Sequence, residues 1–311
     1  MFKKILEEIK KFDTIIIHRH FNPDGDAMGS QIGLKHILKD SFPQKQIFAV
    51  GDNAGHYSFM DDSVMDEVSD DTFKNALSII LDCGSKSLIS DERFTLSKKT
   101  IRIDHHTYSG CFTDFEVIDS KSESCCGQIT RMAMENNLKV SSLAARSLFT
   151  GMVTDSGRFR YDSTSAESFR EAAFLMERDF DINEIYQNLY ADDFKMKQLR
   201  AEFILKIKLT AKNVAYIYTT KEELDALDTD TFSISRGMVN TMADIKGVEI
   251  WANFTETDSG ILCELRSGKK SIVHIAVKFG GGGHAKACGA TLTSKQQVME
   301  MLSDLDKMME D

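Results

Sequence analysis

The stretch TIIIHRHFNPDGDAMGS, residues 14–30, decides how the rest of the chain is read. Ile15, Ile16 and Ile17 form a short apolar run that predicts a buried strand. His20, Asp24 and Asp26 follow at once, with Pro23 and Gly25 holding the turn. Gly29 and Ser30 then open QIGLKHIL, where Ile32, Leu34, Ile37 and Leu38 recur at helical spacing. An imidazole and two carboxylates therefore stand at the carboxyl end of a strand, the edge at which open α/β sheets bind ligands. Gathered within seven residues, they suit a divalent ion of borderline hardness such as Mn or Zn.

Working outward, residues 1–12 predict a leading helix, and 46–51, 76–85 and 100–106 predict three further strands. The second of these delivers Asp82 at its end, and the third ends in Asp104, His105 and His106. Helices are expected over 124–136 and 142–155, the latter closing on Asp155 and Gly157, and over 161–185 and 192–208. Strands alternating with helices imply an α/β unit with a mostly parallel sheet covered on both faces. The pattern changes near residue 195. NVAYIYTT, VEIWANFTET, GILCELRS and IVHIAVKF read as strands, with a helix around 235–245, which makes a smaller α+β domain over 196–311.

A chain of 311 residues accommodates two such domains, and its 42% hydrophobic and 28% charged residues are those of a globular protein. No apolar run reaches the length of a membrane span, and MFKKILEEIKKF lacks the apolar core of a signal peptide, so a cytoplasmic protein with no membrane partner is expected. The six cysteines show no CxxC spacing and read as reduced, small apolar residues. A net charge of −10 argues against a protein that coats long nucleic acid, yet leaves room for a phosphate substrate met by metal ions or a local basic patch.

Four places now offer ligands at strand or helix ends: His20, Asp24 and Asp26; Asp82; Asp104, His105 and His106; and Asp155. Taken singly, an Asp after a strand is most often a turn or cap residue, and a His pair is most often structural. Taken together, they fall where one parallel sheet brings its strand ends to a common edge. So many carboxylates converge only around cations, and two divalent ions about 3.5–4 Å apart with a bridging carboxylate would require such a set.

The second domain carries FGGGGHAKACGA, residues 279–290. Four glycines can present several N–H groups to an anion, and AKACGA could begin a helix whose N-terminus favours phosphate. A flexible hairpin turn is the alternative. Between residues 260 and 290, Arg266, Lys269, Lys270, Lys278 and Lys286 stand against Glu264, a local balance of +4. Arg266 is the best anchor, because its fork can hold a phosphate through two N–H groups.

HFNPDGDAMGS, LDCGS, DHH at 104–106 and VTDSGRF, in that order, resemble the four motifs of the DHH phosphoesterases, and FGGGGH resembles the signature of their DHHA1 domain. The resemblance covers nearly the whole chain, and its length is similar to the RecJ-related nano-RNase/pAp-phosphatase branch. Cys288, at a place where that family often has alanine, is a small departure. The resemblance implies a parallel-sheet catalytic domain over 1–195 and a DHHA1 substrate domain across a cleft. It also implies two divalent metal ions, Mn2+ foremost, one held by His20, Asp24 and Asp82, the other by Asp26, Asp82, His105 and Asp155. Asp104 would orient an imidazole, and His106 would meet the scissile phosphate. Arg266, Ser267, Gly281, Gly282, Gly283 and His284 would hold the substrate. Short single-stranded oligonucleotides or pAp are the implied substrates, with a phosphodiesterase for cyclic di-AMP or linear pApA as the alternative. Polarity and self-association into a homodimer are left open. A non-catalytic nucleotide sensor would lack metal ligands, and none is missing.

Overall fold

The structure, a computed structural model, describes residues 2–309; residues 1, 310 and 311, which the expected domain spans include, lie outside the described residues. The chain divides into two compact units, the first ending at Ala191 and the second beginning at Asp192.

The first unit is built on five strands, β1 (Thr14–His18), β2 (Gln46–Ala49), β3 (Leu77–Leu81), β4 (Lys99–Asp104) and β5 (Phe115–Ile118). They form one parallel sheet in the order β2-β1-β3-β4-β5. Ile15 lies opposite both Ile47 and Leu77, so the isoleucine run sits mid-sheet and is buried on both faces, as a parallel strand must be. Strand β5, FEVI, is too short and too mixed to stand out as a strand before the fold is known.

One face carries Ile15, Ile17, Leu77, Ile79, Leu81, Ile101 and Ile103. It packs against the apolar stripes of α1 (Phe2–Lys11), α2 (Gly25–Ser41), α4 (Cys125–Glu135) and α5 (Ser142–Asp155). Ile16 and Ile80 point to the other face, which the short α3 (Asp70–Phe73) and nearby turns cover with Phe73 and Phe94. Each of these fully buried side chains contributes about 1.5–3 kcal/mol. The unit ends with α6 (Ala166–Met176) and α7 (Ile182–Tyr190), so the helix expected over 161–185 is broken in two at 177–181, where Asp181 caps α7.

Helix α2 begins earlier than its apolar spacing suggests. Asp24 is its N-cap and accepts the backbone N–H groups of Asp26 and Ala27, both at 3.0 Å. Gly25, Gly29 and Ser30 therefore lie inside the helix, and Asp26 belongs to its first turn rather than to a loop.

The second unit holds a six-stranded mixed sheet in the order β10-β11-β9-β8-β7-β6. Its strands are β6 (Lys208–Leu209), β7 (Ala215–Thr219), β8 (Ile250–Thr257), β9 (Gly260–Ser267), β10 (Gly282–His284) and β11 (Ala287–Leu292). Helices α8 (Phe194–Leu205), α9 (Lys221–Ala226) and α10 (Thr231–Ser235), with a 3-10 turn at Val239–Met242, supply the core on one face; the turn occupies part of the span expected as a helix over 235–245. Helices α11 (Val273–Lys278) and α12 (Lys295–Met308) cover the other.

Two expectations are corrected here. IVHIAVKF is a helix, α11, because burying Ile272, Ile275 and Ala276 follows helical spacing while Val277 faces solvent. ACGATL is strand β11 rather than a helix start, and it pairs antiparallel with β10 so that the glycine stretch forms a hairpin. Gly283 sits at φ +131°, and a Cβ there would lie 2.7 Å from the Cys288 Cα, so the hairpin needs glycine at that point.

Candidate metal centre and a glycine-lined cavity

The carboxyl ends of β1, β3 and β4 and the two helix ends beside them bring distant residues to one place. Among the described residues, His20, Asp24 and Asp82 form one group able to hold a metal, Asp26, His105 and Asp155 a second, and Asp82, His105 and His106 a third; within each, ligand atoms lie within 4.8 Å of one another. Asp82 stands between the imidazoles: His20 Nε2 is 3.5 Å from its Oδ2, and His105 Nε2 is 3.4 Å from its Oδ1. His105 Nε2 also lies 3.6 Å from Asp26 and 3.3 Å from Asp155.

The tautomers are set by backbone carbonyls, which can only accept. His20 Nδ1 donates to the Phe21 carbonyl at 2.8 Å and His105 Nδ1 to the Ser122 carbonyl at 3.4 Å, so each Nε2 is turned toward the carboxylates. Asp82 is 1% exposed, its backbone sits at φ +53°, and neither of its carboxylate oxygens has a hydrogen-bond partner. A buried carboxylate without donors is costly unless a cation meets it. Oxygen and imidazole donors around an orphaned carboxylate fit a divalent metal.

Electrostatics carry the same message. Burial alone would depress His20, but ion pairs with Asp24 and Asp82 outweigh it and hold its pKa at about 10. His105, likewise buried, is lifted to about 11 by Asp82, Asp26 and Asp155. Burial pushes Asp26 well above the usual carboxylate range, with Asp82 and Asp155 adding to it, and raises Asp155 to about 7. So dense a gathering of carboxylates favours positive charge in their midst.

Like Asp24, His106 is exposed. Its Nδ1 donates to Asp104 Oδ1 at 2.8 Å, and its backbone N–H reaches the same oxygen at 3.2 Å. That hydrogen bond, more than any other influence, raises the His106 pKa.

Three supports are not visible as motifs. The Asp26 carboxylate accepts the backbone N–H of Cys125 at 2.7 Å and of Cys126 at 2.8 Å, so the first turn of α4 grips it. Fully buried Arg19 pairs with Asp52 at 2.6 Å, and Asp52 in turn accepts the Asn22 N–H at 2.9 Å, which ties down the loop after β1. Helices α2 and α5 cross closely at Gly29 and Gly151: a Cβ at Gly29 would lie 2.5 Å from the Ser147 carbonyl oxygen. Only the small residues at that crossing could have signalled it.

In the second unit, Arg266, Gly281, Gly282, Gly283 and His284 all line one cavity of about 600 Å3. Ser267 does not: it is buried, and its hydroxyl is turned to Glu249 at 3.2 Å. Ser235, Arg236 and Glu264, which no motif singles out, do line it.

This fold and this centre define a two-unit α/β protein equipped to hold metal at the carboxyl edge of a parallel sheet. The chain belongs to the DHH family: residues 14–152 match the DHH family N-terminal domain, and residues 214–311 match the DHHA1 domain. It is 34% identical over 310 residues to the Streptococcus mutans protein named "Probable bifunctional oligoribonuclease and PAP phosphatase NrnA", covering 98% of this chain and 99% of that one. It is 32% identical over 309 residues to the Bacillus subtilis bifunctional oligoribonuclease and PAP phosphatase NrnA, covering 98% of each. The crystal structure of an exopolyphosphatase-related protein from Bacteroides fragilis superposes with a TM-score of 0.86 at 26% identity, covering 100% of this chain and 97% of that one. Among the described residues, no helix is long and apolar enough to cross a membrane.

Proposed function

We propose that this chain is a manganese-dependent phosphoesterase that hydrolyses short single-stranded oligonucleotides and the phosphate of pAp, with residues 1–195 carrying the chemistry and 196–311 holding the nucleotide. It is an enzyme of the phosphoesterase class. The observation that carries the reading is the convergence of His20, Asp24, Asp26, Asp82, His105 and Asp155 on one point, with the Asp82 carboxylate buried and lacking a donor. The names borne by its full-length relatives support the substrate class.

His20, Asp24 and Asp82 would hold one ion, and Asp26, Asp82, His105 and Asp155 a second. Divalent ions there would supply a water of low pKa and positive charge opposite the phosphoryl oxygens. The remaining steps belong to the chain. His106, whose hold on a proton the Asp104 carboxylate strengthens, is suited to bind a phosphoryl oxygen and to hand a proton to the leaving oxygen. Arg266, His284 and the hairpin glycines would receive a terminal nucleotide.

A substrate panel tests this. With manganese added, short RNAs, long RNA, pAp, linear pApA and cyclic di-AMP are incubated and the products resolved by length. Turnover of short RNAs and pAp is expected. Cleavage of cyclic di-AMP alone, or of none of these, would overturn the reading.

A further inference from the structure

The cavity of the second unit contains an arrangement that none of the motifs covers. Glu264 and Arg266 alternate on β9 and so share a sheet face with Asn253 and Trp251, their neighbours across β8. Glu264 Oε1 receives Arg236 Nε at 3.2 Å, and its other oxygen receives Arg266 Nη1 at 3.1 Å. One carboxylate therefore spans two guanidiniums in the wall of a single cavity that also presents the hairpin glycines and His284.

We propose that Arg236 is a second anion-holding side chain of this cavity and that Glu264 positions it together with Arg266. The proposal rests on the nucleotide reading above and extends it to residues outside the motifs.

The segment that carries Arg236 is held in place by dedicated contacts. Asn253 is fully buried, and its amide nitrogen donates to the carbonyls of Ile234 and Ser235, both at 2.7 Å. Arg200 donates to the Gly237 carbonyl at 3.2 Å, so the backbone is gripped on both sides of Arg236. The Arg236 side chain itself is 59% exposed, and its guanidinium lies 5.6 Å from the exposed ring of Phe232. An arginine on a fixed backbone, steadied over a ring and by one carboxylate oxygen through Nε, keeps its terminal nitrogens outside that contact. Those nitrogens can meet phosphate oxygens with little further ordering.

A carboxylate in a cavity that takes an anion would ordinarily oppose binding. Here it also fixes the spacing of two cations, and we assign the larger effect to that role. The sign of one substitution separates the two. Full-length protein freed of metal is titrated with adenosine 3′,5′-bisphosphate in a calorimeter, and KM and kcat are measured on a short RNA with manganese. Arg236→Ala is expected to weaken binding and raise KM by about tenfold, with a smaller change in kcat. Arg236→Lys should recover only part of the loss, since an ammonium cannot hold Glu264 and fork a phosphate together. Glu264→Gln should weaken binding although it removes a negative charge. Binding by Glu264→Gln equal to or tighter than the parent, or an Arg236→Ala variant that binds normally, would overturn this inference alone. A parent protein that binds no bisphosphate would overturn the nucleotide reading and this inference with it.

Discussion

Asp26 on α2 accepts the backbone N–H of Cys125 on α4 at 2.7 Å, linking residues 99 positions apart in the chain. The contact makes α4 part of the site although, among the described residues, none of the candidate metal-binding groups includes an α4 side chain. Asp26→Asn turns an acceptor pair into an acceptor and a donor, and the donor would face an N–H group. We expect a stability loss of about 1–3 kcal/mol in urea melts together with a loss of manganese-dependent activity. Unaltered stability would mean that the two amides find other acceptors.

Asp82 is expected to behave differently, because it spends no hydrogen bond on the fold. Asp82→Asn should reduce turnover at least a hundredfold, about 3 kcal/mol or more in barrier, with the melting temperature unchanged or raised. Asparagine is the choice over alanine because it tolerates the left-handed backbone at φ +53°. Turnover retained in this variant would remove Asp82 from the bridging position.

Gly29 supplies a third test. An added methyl would press on the Ser147 carbonyl oxygen, Cys126 Sγ at 3.0 Å and the Gly151 nitrogen at 3.1 Å, two of which are backbone atoms. Gly29→Ala should destabilise by about 1–3 kcal/mol and lower activity, since α2 must move away from α5 and carry Asp26 with it. At Gly33 the atoms nearest the methyl would all belong to the Leu148 side chain, so Gly33→Ala should spare activity more than stability. Kinetics and melts on the pair distinguish the two.

The pH dependence of stability has a contribution from outside the site. Glu171 is fully buried; burial, and then the neighbouring Glu123, raise its pKa from 4.5 to about 8, although Arg131 Nε donates to it at 2.6 Å. The folded state therefore keeps this proton in a range where the unfolded chain has released it. Its contribution is complete below about 4.5 and falls away as pH rises through about 8. Glu171→Gln should flatten that decline, measured as urea midpoints across the same range. A decline as steep as in the parent would place its origin elsewhere.

Most of the candidate metal-binding residues were legible because His20, Asp82 and His105 come just after apolar strands, and parallel topology carries strand ends to one edge; Asp155 closes helix α5 instead and was legible only beside the others. The start of α2 was not, since Asp24 resembles a loop residue until its side chain is seen capping the helix. IVHIAVKF reads as a strand in isolation because, over so few residues, alternation and helical spacing coincide, and its β-branched residues favour a strand. The grip of α4 on Asp26 uses backbone N–H groups, which leave no trace in residue type. In sequence Glu264 is merely a charge opposing the basic island; its pairing with two arginines depends on Arg236 arriving from another element.

The adjacent sulfurs of α4 are turned into the protein. Both side chains are fully buried, Cys125 Sγ donating to the Ile103 carbonyl at 3.4 Å and Cys126 Sγ to the Asp26 carbonyl at 3.5 Å. Burial, with Asp26 close by, pushes both thiols well above their usual range. An alkylating reagent should therefore reach exposed Cys111 at once and this pair only when α4 opens, so that slow labelling clocks how firmly the helix beneath the centre is held.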